Sequence, residues 1–235
     1  FYYIFITLLL QYFIWEKKLK NPVGRPKLLD RENLVNIALN QYWMNGIDNV
    51  TISSIASLAN VSRPGIYKEF TDEDGLKYEV LRKYTDILRE FVIPQYNSAK
   101  DIKTIYNHIY STIGFNADKT YFEGISKVKG ILPSGANGCF FENVKIKKHT
   151  LDNKTKSEVN NFEKFRRNIF LKYLKKLQET GQIVSSLNID EIYEFISAQI
   201  SLSQSLALNG MNKEKIKIII NKALSAIVTP KYTIN

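Results

Sequence analysis

The chain has 235 residues, more than one small domain needs, which leaves roughly 150 residues for a second, larger one. Its 33 Lys and Arg against 23 Asp and Glu give a net charge of +10, a balance that favours polyanionic partners, although the heavy use of Ile, Asn, Lys, Tyr and Phe is also what AT-rich coding produces. One Cys and two His exclude a disulfide framework and a Cys/His metal site, and no phosphate loop, Ser nucleophile elbow or acidic ligand cluster is present, so no metal, cofactor or catalysis is expected.

In chain order, Phe1 to Trp15 (FYYIFITLLLQYFIW) is almost wholly apolar and is followed by Glu16, Lys17 and Lys18. It is shorter than the ~20 residues of a membrane span and lacks the flanks of a secretory signal. The first Met is Met44, and Val23 is a position where a GTG start codon would read as Val. Residues 1–22 are therefore read as an upstream translation extension or a fragment edge. A cluster of Lys17, Lys18, Lys20, Arg25, Lys27 and Arg31 follows, suited to an arm reaching phosphates or a minor groove, although Lys17 to Lys20 read first as a solvated charge run.

The densest signal is Thr51 to Phe70, TISSIASLANVSRPGIYKEF. Thr51 can cap a first helix carrying Ile52, Ile55, Ala56, Leu58 and Ala59, with small Ala56 where a second helix would cross closely. Asn60 suits a left-handed turn position, and Val61 can plug the space between the two helices. Ser62 can cap the second helix, and Pro64 falls in its first turn, where a missing N–H is harmless. Ile66 and Phe70 then face inward, leaving Arg63, Gly65, Tyr67 and Lys68 outward near the end that approaches base edges and phosphates.

These residues resemble the helix-turn-helix of the TetR family of bacterial regulators. The similarity extends upstream to the arm Gly24-Arg25-Pro26-Lys27 and to Leu34, Ile37, Ala38, Tyr42, Gly46, Val50 and Thr51, and downstream to Leu76 and Val80. It implies an all-α fold, with a three-helix DNA-binding domain followed by a larger helical ligand-binding and dimerisation domain. It also implies that Thr51, Ser62, Tyr67 and Lys68 meet phosphates or groove edges, that Arg63 and Gly65 face bases beside Pro64, and that Arg25 and Lys27 belong to the arm. Two positions differ from the family's usual pattern, with Glu69 in place of His and Glu73 in place of Lys. The acidic run Asp72-Glu73-Asp74 is instead suited to opening a helix, where negative charge meets the positive end of the macrodipole.

Beyond the motif the pattern stays helical. Ile102, Ile105, Ile109 and Ile113 recur at helical spacing, and Val159, Phe162, Ile169, Tyr173 and Leu177 continue to a stop at Gly181. Asn188 or Asp190 can open a helix through Ile192, Phe195, Ile196, Ile200 and Leu206 that ends at Gly210, and Ile216, Ile219, Ile220, Ala223, Leu224 and Ile227 mark the last one. The segment 188–209 is apolar or weakly polar all round and needs cover on two faces. The resemblance implies that 188–209 and 213–228 form a homodimer interface, setting two recognition helices about 34 Å apart on a partly palindromic operator.

Gly135 to Val144 (GANGCFFENV) resembles a segment before a long helix in one TetR subgroup, with Cys139, Phe140 and Phe141 packing inward and Cys139 a small buried hydrophobe. His108 and His149 read as structural or surface residues. Tyr106, Tyr110, Phe115, Phe122, Phe165 and Tyr173 read as core aromatics rather than pocket walls.

The reading divides the chain into 1–22, a DNA-binding domain over 23–72 and a helical domain over 73–230. It makes the protein a cytoplasmic repressor that binds double-stranded DNA as a homodimer and is released by a small-molecule inducer. The competing readings are a membrane-attached helical protein anchored by residues 1–15, and a helical interaction module without DNA binding, left open by Glu69 and Glu73.

Overall fold

The structure is a computed structural model that describes residues 29–113 and 138–234; Arg25, Lys27, Phe115, Phe122 and the apolar N-terminus lie outside the described residues. Residues from Arg31 onward form one compact unit. The described residues are helical, with α1 at Arg31–Asn45, α2 at Ile52–Ala59, α3 at Arg63–Phe70, α4 at Glu73–Ile87, α5 at Gln95–Ser98 and α6 at Lys103–Thr112. Then come α7 at Phe140–Ile146, α8 at Asn153–Glu179, α9 at Ile189–Leu208 and α10 at Lys213–Leu224. Among the described residues the sole β-type pairing is an isolated antiparallel bridge between Ile183 and Val228.

Helix α1 buries Leu34, Val35, Ala38, Leu39, Tyr42 and Trp43, more of its circumference than one stripe, because α2 and α4 both pack on it. Helix α4 starts where the sequence suggests: Asp72 caps it, accepting the Gly75 N–H at 2.6 Å, and Glu73 in its first turn pairs with Lys77 at 2.7 Å. The acidic run is thus used for helix initiation. Leu88–Val92 widens into a π turn ahead of Pro94, whose missing N–H ends regular α-helical bonding there.

The 27-residue α8, about 40 Å long at 1.5 Å per residue, is the spine against which α4, α5, α7 and α9 pack. Phe162, Tyr173, Leu174 and Leu177 are buried along it, and Tyr96, Phe170, Tyr173 and Tyr193 stack edge-on or tilted at centroid distances of 4.8 to 5.9 Å. Gly181 carries φ +70°, the left-handed stop expected of it. Helix α9 opens on an Asn188–Glu191 capping box and buries even Ser203 and Gln204 completely, as its nearly all-round apolar pattern requires. The last helix is shorter than the expected 213–228: it ends at Leu224, and Ile227 and Val228 are buried beyond it beside the Ile183 bridge.

Candidate functional site

Two regions carry functional chemistry. In the first, Thr51 caps α2 by accepting the Ser54 N–H at 3.2 Å, and Asn60 turns the chain at φ 53°, ψ 45°. Ser62 caps α3 by accepting the Gly65 N–H at 3.2 Å, with Pro64 in the first turn. Ile66 (0% exposed) and Phe70 (4%) anchor α3 from below, together with Ala56 on α2, while Val61 is half-buried between the helices. Arg63, Tyr67 and Lys68 are exposed and Gly65 is half-buried. Arg63 Nη1 donates to Ser53 Oγ at 3.2 Å, so the long Arg63 side chain bridges the start of α3 to the first turn of α2. The exposed Thr51, Ser53, Ser62, Arg63, Tyr67 and Lys68, in or beside α2 and α3, can meet phosphate oxygens and present side chains to a groove.

Glu69 turns away from that role. Its carboxylate pairs with Arg31 Nε at 3.0 Å, and Arg31 also reaches Glu79 at 2.9 Å and stacks over the Phe70 ring. The acid therefore ties α3 to α1 and α4. Leu58, expected on the buried face of α2, is 55% exposed: Ile52, Ile55, Ala56 and Ala59 share a helical stripe that position 58 does not join.

The second region is a cavity of about 70 Å³ bounded by residues of α1, α4, α6, α7 and α8. Trp43, Tyr84 and Phe162 supply aromatic walls, and His108, Glu142 and Arg166 a buried polar side. Glu142 Oε1 accepts from Arg166 Nη1 at 2.5 Å, and Arg166 Nη2 is taken by Glu163. Burial opposes charge on both partners, yet Arg166 and Lys145 together hold the Glu142 carboxyl below the usual carboxylate range, and Glu142 and Glu163 hold Arg166 firmly cationic. Burial, aided by the Arg166 charge and opposed by Glu142, lowers His108 to about 4, so its imidazole is neutral at pH 7. Cys139 lies at the cavity edge with Sγ 3.3 Å from the Tyr84 hydroxyl, and burial followed by the Glu142 charge pushes its thiol up. It is half-buried, less enclosed than the small buried hydrophobe expected.

No protein-family model matches the chain. It is 24% identical over 209 residues to the HTH-type transcriptional repressor ComR of Escherichia coli K12, covering 87% of this chain and 92% of ComR. A transcriptional regulator from Saccharomonospora viridis, solved in complex with choline, superposes with TM-score 0.64 at 16% identity over 85% of this chain and 97% of its own. The TetR-family regulator CifR, as a cysteine mutant with 26 bp of operator DNA, gives TM-score 0.61 at 14% identity over 87% of this chain and 100% of its own. The fold is that of the TetR family of transcriptional regulators.

On this TetR fold the sequence signals divide by range. Thr51 caps α2, Ser62 to Gly65 open α3 and Tyr67 and Lys68 stand along it, with Arg63 bonded across to Ser53, whereas Arg25 and Lys27 lie outside the described residues. Ser53 was missed, although a serine in the first turn after a Thr cap is the signal that would have found it. The cavity was also missed: Tyr106 and Tyr173 are core residues, as expected, but the aromatic walls come from Trp43, Tyr84 and Phe162.

Proposed function

We propose that the chain is a TetR-type repressor that binds a partly palindromic operator as a homodimer and releases it when a small molecule enters the helical domain. The observation that carries this reading is the capped helix-turn-helix of α2 and α3, bridged by the Arg63–Ser53 hydrogen bond, with Tyr67 and Lys68 exposed on a helix anchored by Ile66 and Phe70. In this reading Thr51, Ser62, Tyr67 and Lys68 hold phosphates or groove edges, Arg63 and Gly65 face bases, and Arg25 and Lys27 extend the contact as an arm. Residues 23–72 read the DNA and 73–230 bind the ligand and the partner. Binding, not catalysis, is the activity, and the protein works in the cytoplasm where its operator is.

Three likenesses support it: ComR is a repressor, CifR is seen on operator DNA, and the S. viridis regulator is seen with choline. The dimer reading draws on Leu202 and Leu208 of α9 and Ile218 and Ile219 of α10, which are 39 to 65% exposed on the segments expected to pair. The module reading loses its motive, because Glu69 and Glu73 are engaged by Arg31 and Lys77 and do not confront an incoming phosphate as free charges. Among the described residues, no helix is long and apolar enough to cross a membrane.

The test is enrichment of bound duplexes from a random pool. A partly palindromic motif with half-sites about one helical turn apart supports the reading, and recovery of unenriched sequence overturns it.

A further inference from the structure

The cavity has an imbalance of hydrogen-bonding capacity. Glu142 is 1% exposed, and while its Oε1 is bonded to Arg166, its Oε2 has no hydrogen-bond donor among the described residues. Lys145 Nζ stands 3.7 Å from that oxygen, close enough for attraction but beyond hydrogen-bond reach. Both terminal nitrogens of Arg166 are committed, one to Glu142 and one to Glu163. Two of the five N–H groups of Arg166 are thus used, and the polar atom here left without a partner among the described residues is an acceptor, Glu142 Oε2; a buried carboxylate binds N–H and O–H groups strongly. A second carboxylate would meet the like charges of Glu142 and Glu163, two acids that already outnumber the single Arg166 cation. Opposite the acid stand the Trp43, Tyr84 and Phe162 rings, and the space of about 70 Å³ suits a ligand of about five or six heavy atoms.

We propose that the cavity takes a small amphipathic amine or alcohol, its apolar body against Trp43, Tyr84 and Phe162 and its N–H or O–H donated to Glu142 Oε2. This deepens the ligand-release reading above and rests on it. The occupant touches the DNA-reading part directly, because Trp43 belongs to α1, which packs on α2, and its Nε1 donates to the Gly138 carbonyl at 3.2 Å beside Cys139. Filling the cavity therefore presses on a residue one helix away from the recognition pair, with no relay through α4 required.

The chain contains two Trp and one Cys, which gives two independent reporters. In unmodified full-length protein, the rate of Cys139 alkylation by iodoacetamide is followed with n-butylamine, 1-butanol or butyrate at millimolar concentrations. In Trp15→Phe protein, where Trp43 is the remaining tryptophan, its emission is followed in the same titrations. Saturable protection of Cys139 and a shift of Trp43 emission by the amine or the alcohol, with apparent affinity about tenfold above butyrate, is the expected result. Amine above alcohol assigns an ammonium ligand, and alcohol at or above amine a neutral donor. Equal effects from all three compounds, or none from amine and alcohol, overturns the proposal. Glu142→Gln, which places an amide N–H2 on the acid, is expected to erase the preference over butyrate; the wild-type alkylation data stand if that variant does not fold. Protection without DNA release leaves the site standing and overturns the inducer reading, whereas DNA release without protection overturns the site alone.

Discussion

Asp74, in the first turn of α4, caps α8: its carboxylate accepts the backbone N–H of Lys154 at 2.7 Å and of Thr155 at 3.0 Å, and the Thr155 hydroxyl donates to it as well. Asp152, the residue in the cap position of α8 itself, makes no side-chain cap bond. Two of the orphan N–H groups opening the longest described helix are thus satisfied from the helix that follows the recognition helix. Nearby, Glu158 of α8 joins the same pair of helices through the Thr85 hydroxyl at 2.6 Å and Arg89 at 2.9 Å.

The consequence is an asymmetry between two aspartates. Asp74→Ala is expected to destabilise the fold by about 1–2 kcal/mol, while Asp152→Ala changes stability by less than about 0.5 kcal/mol. Urea midpoints of the two variants check this. Equal midpoints would mean that α8 is capped locally.

Gly75, in the first turn of α4, sits against the last residue of α3. A Cβ at that position would stand 1.9 Å from the Phe70 carbonyl oxygen and 3.0 Å from its carbon, backbone atoms that cannot swing aside. Gly75→Ala is expected to cost about 2 kcal/mol or more and to tilt the recognition helix, lowering DNA affinity further than stability alone explains. Thermal unfolding and DNA titration at a temperature well below the midpoint separate the two effects.

His108 sets an acid limit. Well above pH 6.5 its imidazole is neutral in folded and unfolded chains alike, and this residue makes no difference. Between 6.5 and about 4 the unfolded chain binds a proton that the native one refuses, so stability falls as pH falls, by up to about 3 kcal/mol for a 2.5-unit gap at 1.36 kcal/mol per unit. The urea midpoint is therefore expected to drop from pH 7 to pH 5 in wild type and to drop less in His108→Leu. The same slope in both would remove His108 from the account.

The dimer prediction rests on Ile218, which is 65% exposed on α10, and on Leu202, 41% exposed on α9. Leu202→Glu with Ile218→Glu is expected to give a monomer by sedimentation, with helix content unchanged, because neither side chain is in the monomer's core. A dimer that survives both charges would place the interface elsewhere.

What the sequence reveals here is mostly local. Thr51, Asn60 and Ser62 do what their chemistry suggests within three residues of themselves, and Ile66 and Phe70 are buried because a four-residue spacing leaves them one face. Asn188, Gly181 and Gly210 mark helix ends for the same reason. The features hidden from the sequence are long-range. Asp74 reads as a first-turn acid and acts 81 residues away on Thr155, and Glu142 and Arg166 look like surface charges on helical segments yet are buried together. Trp43 has the spacing of an ordinary core residue, and only the arrival of α7 makes it a cavity wall. Leu58 shows the opposite failure, an apolar residue counted with the core and left outside.

The most direct measurement is DNA affinity against salt for wild type, Tyr67→Ala and Lys68→Ala, using duplex from upstream of the protein's own gene and a scrambled duplex. Both residues are exposed, so neither change should move the thermal midpoint. The account predicts preference for the upstream duplex, a steep fall in affinity with salt, loss of preference in Tyr67→Ala, and a salt slope shallower by about 0.9 per lost phosphate contact in each subunit of Lys68→Ala. Equal affinity for both duplexes, with neither substitution changing affinity or slope, would contradict it.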